Sequence, residues 1–240
     1  MSELTVEDIH VSYGGIRALR GVGLTVPDGQ CAAILGANGS GKTSLMNSIS
    51  GLVEHTGTAS LDRVPLTGSP EKIARTGVGH VMEGRQIFTQ LTIRENLMLG
   101  RFGAEKRPGG DQMDALLDAF PVLKEKIDRL GGQLSGGEQQ QVAIARCLMG
   151  RPSVVLMDEP SLGLSPRVID QMSDAIQTIR QEWGTTLLVA EQSISLALEI
   201  ASHFYVLRRG KVSYSGPGER DVLLREVHSA YLGAEGEAVA

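Results

Sequence analysis

The sequence predicts an α/β fold with a mostly parallel core sheet, an antiparallel β region at its N-terminal end and an inserted helical subdomain. Three observations carry this reading. Short unbroken apolar runs alternate with helix-length stretches, strand-like alternation fills the first segment, and a long middle stretch has helical periodicity with no strand-like run.

In chain order, apolar positions alternate around Val6, Ile9, Val11 and Tyr13, break at Gly14-Gly15, and resume around Leu24 and Val26 before Pro27-Asp28-Gly29. That pattern predicts strands joined by tight turns. Cys31–Leu35 is continuously apolar, as a strand covered on both faces must be, and it enters a glycine-rich turn at Gly36 followed by a helical pattern through Ile49. Three later runs look the same, Val78–Met82, Val154–Met157 and Thr186–Ala190, with helix-length stretches such as Pro166–Trp183 between them. Between Glu83 and Gly150, the segments Ile93–Leu99, Met113–Phe120, Leu123–Leu130 and Glu138–Met149 all read as helices. The expected division is therefore a core lobe from residues 1–83 and 151–233, a helical subdomain over 84–150 and a frayed tail over 234–240. Residues 103–111, polar with Gly and Pro, read as an exposed loop of the insert.

Composition narrows the function classes. With 240 residues, 41% hydrophobic and 21% charged, the chain suits one compact core or two small lobes and excludes a disordered or fibrous protein. Lys+Arg 23 against Asp+Glu 28 leaves a net charge of −5, which argues against nucleic acid as a partner. No apolar run reaches the length of a membrane span, and Met1–His10 has neither a basic start nor an apolar stretch, so a cytoplasmic location is expected. Cys31 and Cys147 are too few and too far apart for a disulfide framework or a local metal pair and read as buried reduced thiols.

Gly36-Ala37-Asn38-Gly39-Ser40-Gly41-Lys42-Thr43 fits G-x-x-x-x-G-K-[ST], directly after a predicted buried strand and directly before a predicted helix. Its glycines let the backbone curl so that N–H groups and the positive end of the helix face a phosphate. Lys42 adds a point charge, and the Thr43 hydroxyl suits Mg2+. Gly36, Asn38, Gly39, Ser40, Gly41, Lys42, Thr43 and Ser44 are the expected nucleotide contacts. Val154–Met157 runs into Asp158-Glu159-Pro160, which puts two carboxylates at a strand end, where ligands sit in open α/β sheets. Asp158 is expected to hold Mg2+ through its water shell. Glu159, one residue on and on the opposite side of the strand, is expected to orient and deprotonate an attacking water.

Leu134-Ser135-Gly136-Gly137-Glu138-Gln139 stands before a helical run, so Ser135 and the glycine N–H groups crown a helix N-terminus and form a second anion site. Here the chain resembles the ATP-binding subunits of ABC transporters, whose signature is LSGGQ. The resemblance covers nearly the whole sequence. It implies that Ser135, Gly136, Gly137 and Glu138 contact ATP held by another cassette, that two cassettes pair head to tail, and that Ser161–Leu164 lies across their interface. It further implies that Tyr13 stacks on the adenine, although Tyr13 by itself reads more readily as a half-buried strand residue.

Two positions depart from the family. Glu83 stands where a Gln normally contacts Mg2+ and water, and Gln192 stands where a switch His normally contacts the γ-phosphate. Glu83 keeps an oxygen for Mg2+ and Gln192 keeps a hydrogen-bond donor, but neither reproduces the usual geometry or charge, so slow or asymmetric hydrolysis is expected. The strings at 79–97, 158–166 and 189–201 resemble an ATPase subunit of branched-chain amino acid importers, with a sister group serving urea or short-chain amides. That resemblance implies as partners two transmembrane permeases, a second ATPase subunit and an external substrate-binding protein, at the cytoplasmic face of the membrane. Homodimer and heterodimer both stay open. Phe88 would lie where a permease docks, while Ile87 and Phe88 read equally as core of the insert. A phosphate-loop kinase, a soluble ABC-type ATPase acting on DNA or ribosomes and a regulatory subunit of low turnover are the competing readings. The first does not explain the signature, the second lacks the expected coiled coils, zinc cysteines or second cassette, and the third conflicts with the presence of Lys42, Asp158 and Glu159.

Overall fold

The core sheet has six strands in the order β10-β9-β3-β8-β7-β6, where β3 is Cys31–Leu35, β6 Val78–Val81, β7 Val154–Asp158, β8 Thr186–Glu191, β9 His203–Arg208 and β10 Lys211–Pro217. All neighbours are parallel except β10, which runs antiparallel to β9 at the edge. The computed structural model describes residues 2–102 and 112–232, so the expected loop 103–111 and tail 234–240 lie outside the described residues.

Register explains where function gathers. Leu35 pairs with Glu191, Asp158 with Ala190 and Met157 with Val81. The glycine-rich turn, the Asp158-Glu159 pair, Gln192 and Glu83 therefore all leave the sheet from one edge, at the carboxyl ends of the strands.

The strands are buried on both faces, and their side chains divide by alternation. Val155, Met157, Leu187 and Val189 join one core with the helices of the insert and with α7 (Pro166–Trp183), while Val154, Leu156, Leu188 and Ala190 join another with α1 (Lys42–Ile49). Helix α1 is roofed by a four-stranded antiparallel sheet, order β2-β1-β4-β5, made from β1 (Leu4–Tyr13), β2 (Ile16–Val26), β4 (Thr56–Leu61) and β5 (Val64–Pro65). Helix α2 (Pro70–Thr76) leads into β6, and α8 (Ile194–Ile200) and α9 (Arg220–Leu232) cover β3 and β9 through Ala33, Leu35, Phe204 and Val206.

Between β6 and β7 the described residues form α3 (Ile93–Leu99), α4 (Met113–Ala119), α5 (Pro121–Glu125) and α6 (Gly136–Met149). Three expectations need correction. The helix expected over Leu123–Leu130 ends at Glu125, because the backbone beyond it pairs with the start of α3: Ile93 N–H donates to Arg129 O at 3.0 Å and Gly131 N–H to Leu91 O at 2.8 Å. These bonds remove the carbonyls and amides that a continued helix needs. Strand β6 stops at Val81, leaving Met82 exposed in the following turn. Cys147 is only partly buried, whereas Cys31 is 2% exposed, its thiol pushed up to about 12 by burial.

Candidate active site

The turn after β3 and the start of α1 form one wall of a cleft of about 610 Å3. Asn38, Gly39, Gly41, Lys42, Thr43 and Ser44 line it together with Tyr13, Glu83 and Glu159. Gly41 opens α1 with no side-chain cap at φ +113, a conformation reserved for glycine, and a Cβ there would stand 2.8 Å from Ala18 O. The first amides of α1 therefore face the cleft without a protein partner supplied by a cap. Gly36 and Ser40, also expected to touch nucleotide, sit behind the loop: Ser40 is 6% exposed and its carbonyl accepts from Gly210 N–H at 2.9 Å.

Lys42 reaches back over its own loop. Its Nζ donates to Gly36 O at 2.8 Å and lies 3.1 Å from Glu159 Oε1. Glu159 reaches this position by a route that strand alternation does not supply. Strand β7 ends at Asp158, and Glu159 takes φ +48, which swings its side chain into the cleft. The expected placement on the opposite side of the strand is thus corrected to a left-handed turn residue, a strained conformation for a side chain of this size.

Asp158 is buried behind the cleft, 2% exposed, beside Thr43, Lys42 and Glu159. Burial pushes its carboxyl up from the usual range, the Thr43 hydroxyl and Lys42 oppose that, and the carboxylates of Glu159 and Glu83 reinforce it. Its Oδ1 is buried with no hydrogen-bond partner. An orphaned carboxylate oxygen beside a threonine hydroxyl, among further carboxylates, is an oxygen-donor set suited to a hard divalent cation. Among the described residues no group of three or more His, Cys, Asp or Glu gathers closely enough to hold an ion unaided, so oxygens from water or a ligand would have to complete such a shell.

Tyr13 ends β1 at the cleft mouth, 47% exposed, just before Gly14 at φ +57 turns the chain into β2. The cleft also gathers Arg17 and Arg20 of β2 and Arg209 of the β9–β10 turn, which the sequence reading passed over. Their signal was weak because β2 pairs with β1 through register shifts that break strict alternation, and Arg209 stands at φ +48 in a short turn. Gln192 is exposed beyond the end of β8 and does not line the cleft, whereas its neighbour Glu191, given no role from sequence, is buried at the same strand end.

The signature segment stands apart from this cleft. Ser135 caps α6 with a capping box: Glu138 N–H donates to Ser135 Oγ at 3.4 Å and Ser135 N–H to Glu138 Oε2 at 2.9 Å. Glu138 also pairs with Lys126 at 2.5 Å. Burial pushes its carboxyl up, and the Lys126 ammonium with the Ser135 bonds more than offsets this, holding it below the usual carboxylate range. Glu138, expected among the nucleotide contacts, is thus occupied in fixing the helix end. A Cβ on Gly136 would stand 2.7 Å from the Arg85 guanidinium, so glycine there lets Arg85 pack flat against the helix start.

Known proteins match this arrangement. The family described as ABC transporter matches residues 19–162. The chain is 38% identical over 232 residues, 96% of its length and 99% of the relative's, to the high-affinity branched-chain amino acid transport ATP-binding protein BraG of Pseudomonas aeruginosa. It is 34% identical over 210 residues, covering 87% and 89%, to the probable branched-chain amino acid transport ATP-binding protein LivF of Archaeoglobus fulgidus. Among solved structures, it superposes with a TM-score of 0.82 on an ATP-binding cassette of an ABC transporter in its ADP conformation, at 28% identity, covering 97% of this chain and 99% of that one. The chain belongs to the ABC transporter family, as an ATP-binding and ATP-hydrolysing subunit related to the branched-chain amino acid transport ATPases of the BraG and LivF type.

Proposed function

We propose that this subunit powers a branched-chain amino acid importer, by hydrolysing ATP at a site completed only when two cassettes close on each other. The observation that carries this reading is the separation of two anion-binding surfaces in one chain. The phosphate loop and Glu159 line one cleft with Asp158 buried beside Thr43, while the capped N-terminus of α6 stands outside it. Head-to-tail pairing supplies each cleft with a second cassette's helix N-terminus and makes ATP part of the interface.

In this reading Tyr13 stacks on the adenine, and Arg17, Arg20 and Arg209 add positive charge along the cleft. The amides of residues 38–44 and Lys42 hold the phosphates. Thr43, Asp158 and Glu83 hold Mg2+, which would neutralise charge on the β- and γ-phosphates. Glu159 orients the attacking water and accepts its proton at Oε, Gln192 donates to the γ-phosphate, and Ser135 with the Gly136 and Gly137 amides closes on ATP bound to the opposing cassette. The lobe at 1–83 and 151–233 binds nucleotide, and the arm at 84–150 carries the signature.

Two permeases, a second ATPase and an external binding protein complete the proposed assembly, with this chain on the cytoplasmic face of the membrane. No described helix is long and apolar enough to cross a bilayer, and in this reading the permeases hold the chain at the membrane. A cleft of about 420 Å3 between β6 and the insert supports a permease contact there: Phe88 is 54% exposed at its edge under the Arg146 guanidinium, while Ile87 packs into the core. Purification of the tagged chain from solubilised membranes of its host, with mass spectrometry of what accompanies it, tests the reading. Two permeases and a second ATPase are expected. Recovery only in soluble fractions with ribosomal or DNA-repair proteins removes the transporter role.

A further inference from the structure

Glu191 is a buried carboxylate that the reading above leaves without a task. It ends β8 at 1% exposure, between β3 and β7. Its Oε1 accepts from Ser161 N–H at 2.9 Å, and its Oε2 accepts from Ser161 Oγ at 2.8 Å, Gln192 N–H at 3.2 Å and Ser193 N–H at 3.5 Å. Burial pushes the carboxyl up and these bonds oppose it. The two oxygens thus gather donors from segments that sequence keeps thirty residues apart.

Both segments carry proposed catalytic groups. Ser161 follows Glu159 in a loop closed by Leu162 N–H to Glu159 O at 3.2 Å, and Glu159 N–H itself donates to Ala190 O at 2.9 Å. On the other side, the Gln192 and Ser193 amides set the turn into α8, whose N-cap is Ser193. Glu159 needs such a hold because its φ of +48 is not self-maintaining. We propose that Glu191 is a positioning residue for hydrolysis: it clamps Ser161 and the Gln192–Ser193 backbone to one carboxylate, so that Glu159 and Gln192 reach the γ-phosphate in fixed register. This rests on the roles proposed above for Glu159 and Gln192.

Glu191→Gln keeps the shape but replaces one acceptor oxygen by an NH2 group, which faces a donor on one side of the clamp. In the full-length protein, kcat for ATP is expected to fall about 10- to 100-fold, the effect of losing a hydrogen bond to a charged group. KM is expected to stay near wild type, since the ground-state contacts to nucleotide are intact, while the melting temperature falls by a few degrees because a buried donor faces the new NH2 group. Ser161→Ala, which removes only the hydroxyl arm, lowers kcat less and adds almost nothing in the Glu191→Gln background, because the two act through one linkage. Unchanged kcat in Glu191→Gln overturns the proposal. So does a kcat loss that comes with a matching rise in KM or that vanishes when the assay is run well below the variant's melting temperature, or a double variant in which the two losses multiply. If Glu191→Gln fails to fold, Ser161→Ala decides: kcat falls at constant KM, or the proposal is wrong. Glu159→Gln measured in parallel separates the two levels, since full turnover there removes the underlying reading and full turnover in Glu191→Gln alone removes only the clamp.

Discussion

Lys42 Nζ and Glu159 Oε1 stand 3.1 Å apart with side chains 4% and 11% exposed, a nearly closed ion pair between the phosphate loop and the end of β7. The pair puts the proposed phosphate ligand and the proposed base in competition. A γ-phosphate entering the cleft offers Lys42 a stronger partner and frees the Glu159 carboxylate to hold water.

Glu159→Gln retains size and a hydrogen bond to Lys42 but abolishes the base. Phosphate release is expected to drop by about 10²- to 10⁴-fold, while ATP binding and ATP-driven association persist. A malachite-green assay beside size-exclusion chromatography with ATP checks both parts. Turnover at the wild-type rate would assign the base elsewhere.

Lys42→Ala acts at an earlier step. It removes the charge that faces the phosphates and leaves Glu159 buried without its cation, so nucleotide affinity itself is expected to weaken by about 10- to 100-fold. Titration with a fluorescent ATP analogue measures this directly, and unaltered affinity would contradict the assignment of the loop.

How much of this was legible in the sequence follows from range of interaction. The phosphate loop, the helix start at Ser135 and the helix Pro166–Trp183 are local patterns, set by glycine placement, a cap or hydrophobic period, and they stand in the structure as expected, whereas the reciprocal bond from Ser135 N–H to Glu138 is seen only in the structure. Strand β9 went unassigned although it pairs directly with β3, because its burial depends on distant elements on both faces, Phe204 and Val206 packing with α8 and α9 and Tyr205 and Leu207 with the core that holds α1. The route of Glu159 into the cleft depends on a positive φ that no side-chain pattern encodes, and the Glu191 clamp depends on strand register that joins residues thirty positions apart.

The departures at Glu83 and Gln192 have a measurable sign. Glu83 faces Asp158 and is one of the charges that raise its carboxyl, after burial and Glu159. Glu83→Gln removes that charge, so in the metal-free protein Asp158 is expected to ionise at lower pH. Combined with Gln192→His, which restores the family's usual pair, turnover is expected to rise. NMR titration of the Asp158 carboxyl in the metal-free wild type and Glu83→Gln checks the shift, with an unmoved titration showing that Glu83 does not act on Asp158, and steady-state kinetics of the double variant checks the turnover.

His80 gives the fold a separate pH dependence. It sits in β6, paired in register with Leu156, with Nδ1 3.1 Å from Ser50 Oγ and Nε2 buried without a partner. Burial pushes its pKa from 6.5 down to about 4, so the folded chain keeps the ring neutral where the unfolded chain protonates it. The unfolded state therefore binds more protons between those values, and stability falls as pH drops through 6.5, the loss being complete below about 4. The full contribution is about 3 kcal/mol. Urea unfolding of wild type and His80→Gln at steps from neutral pH downward isolates it. The variant is expected to lose stability less steeply across this window, and identical slopes would show that the ring is solvated enough in the fold to protonate at its ordinary pH.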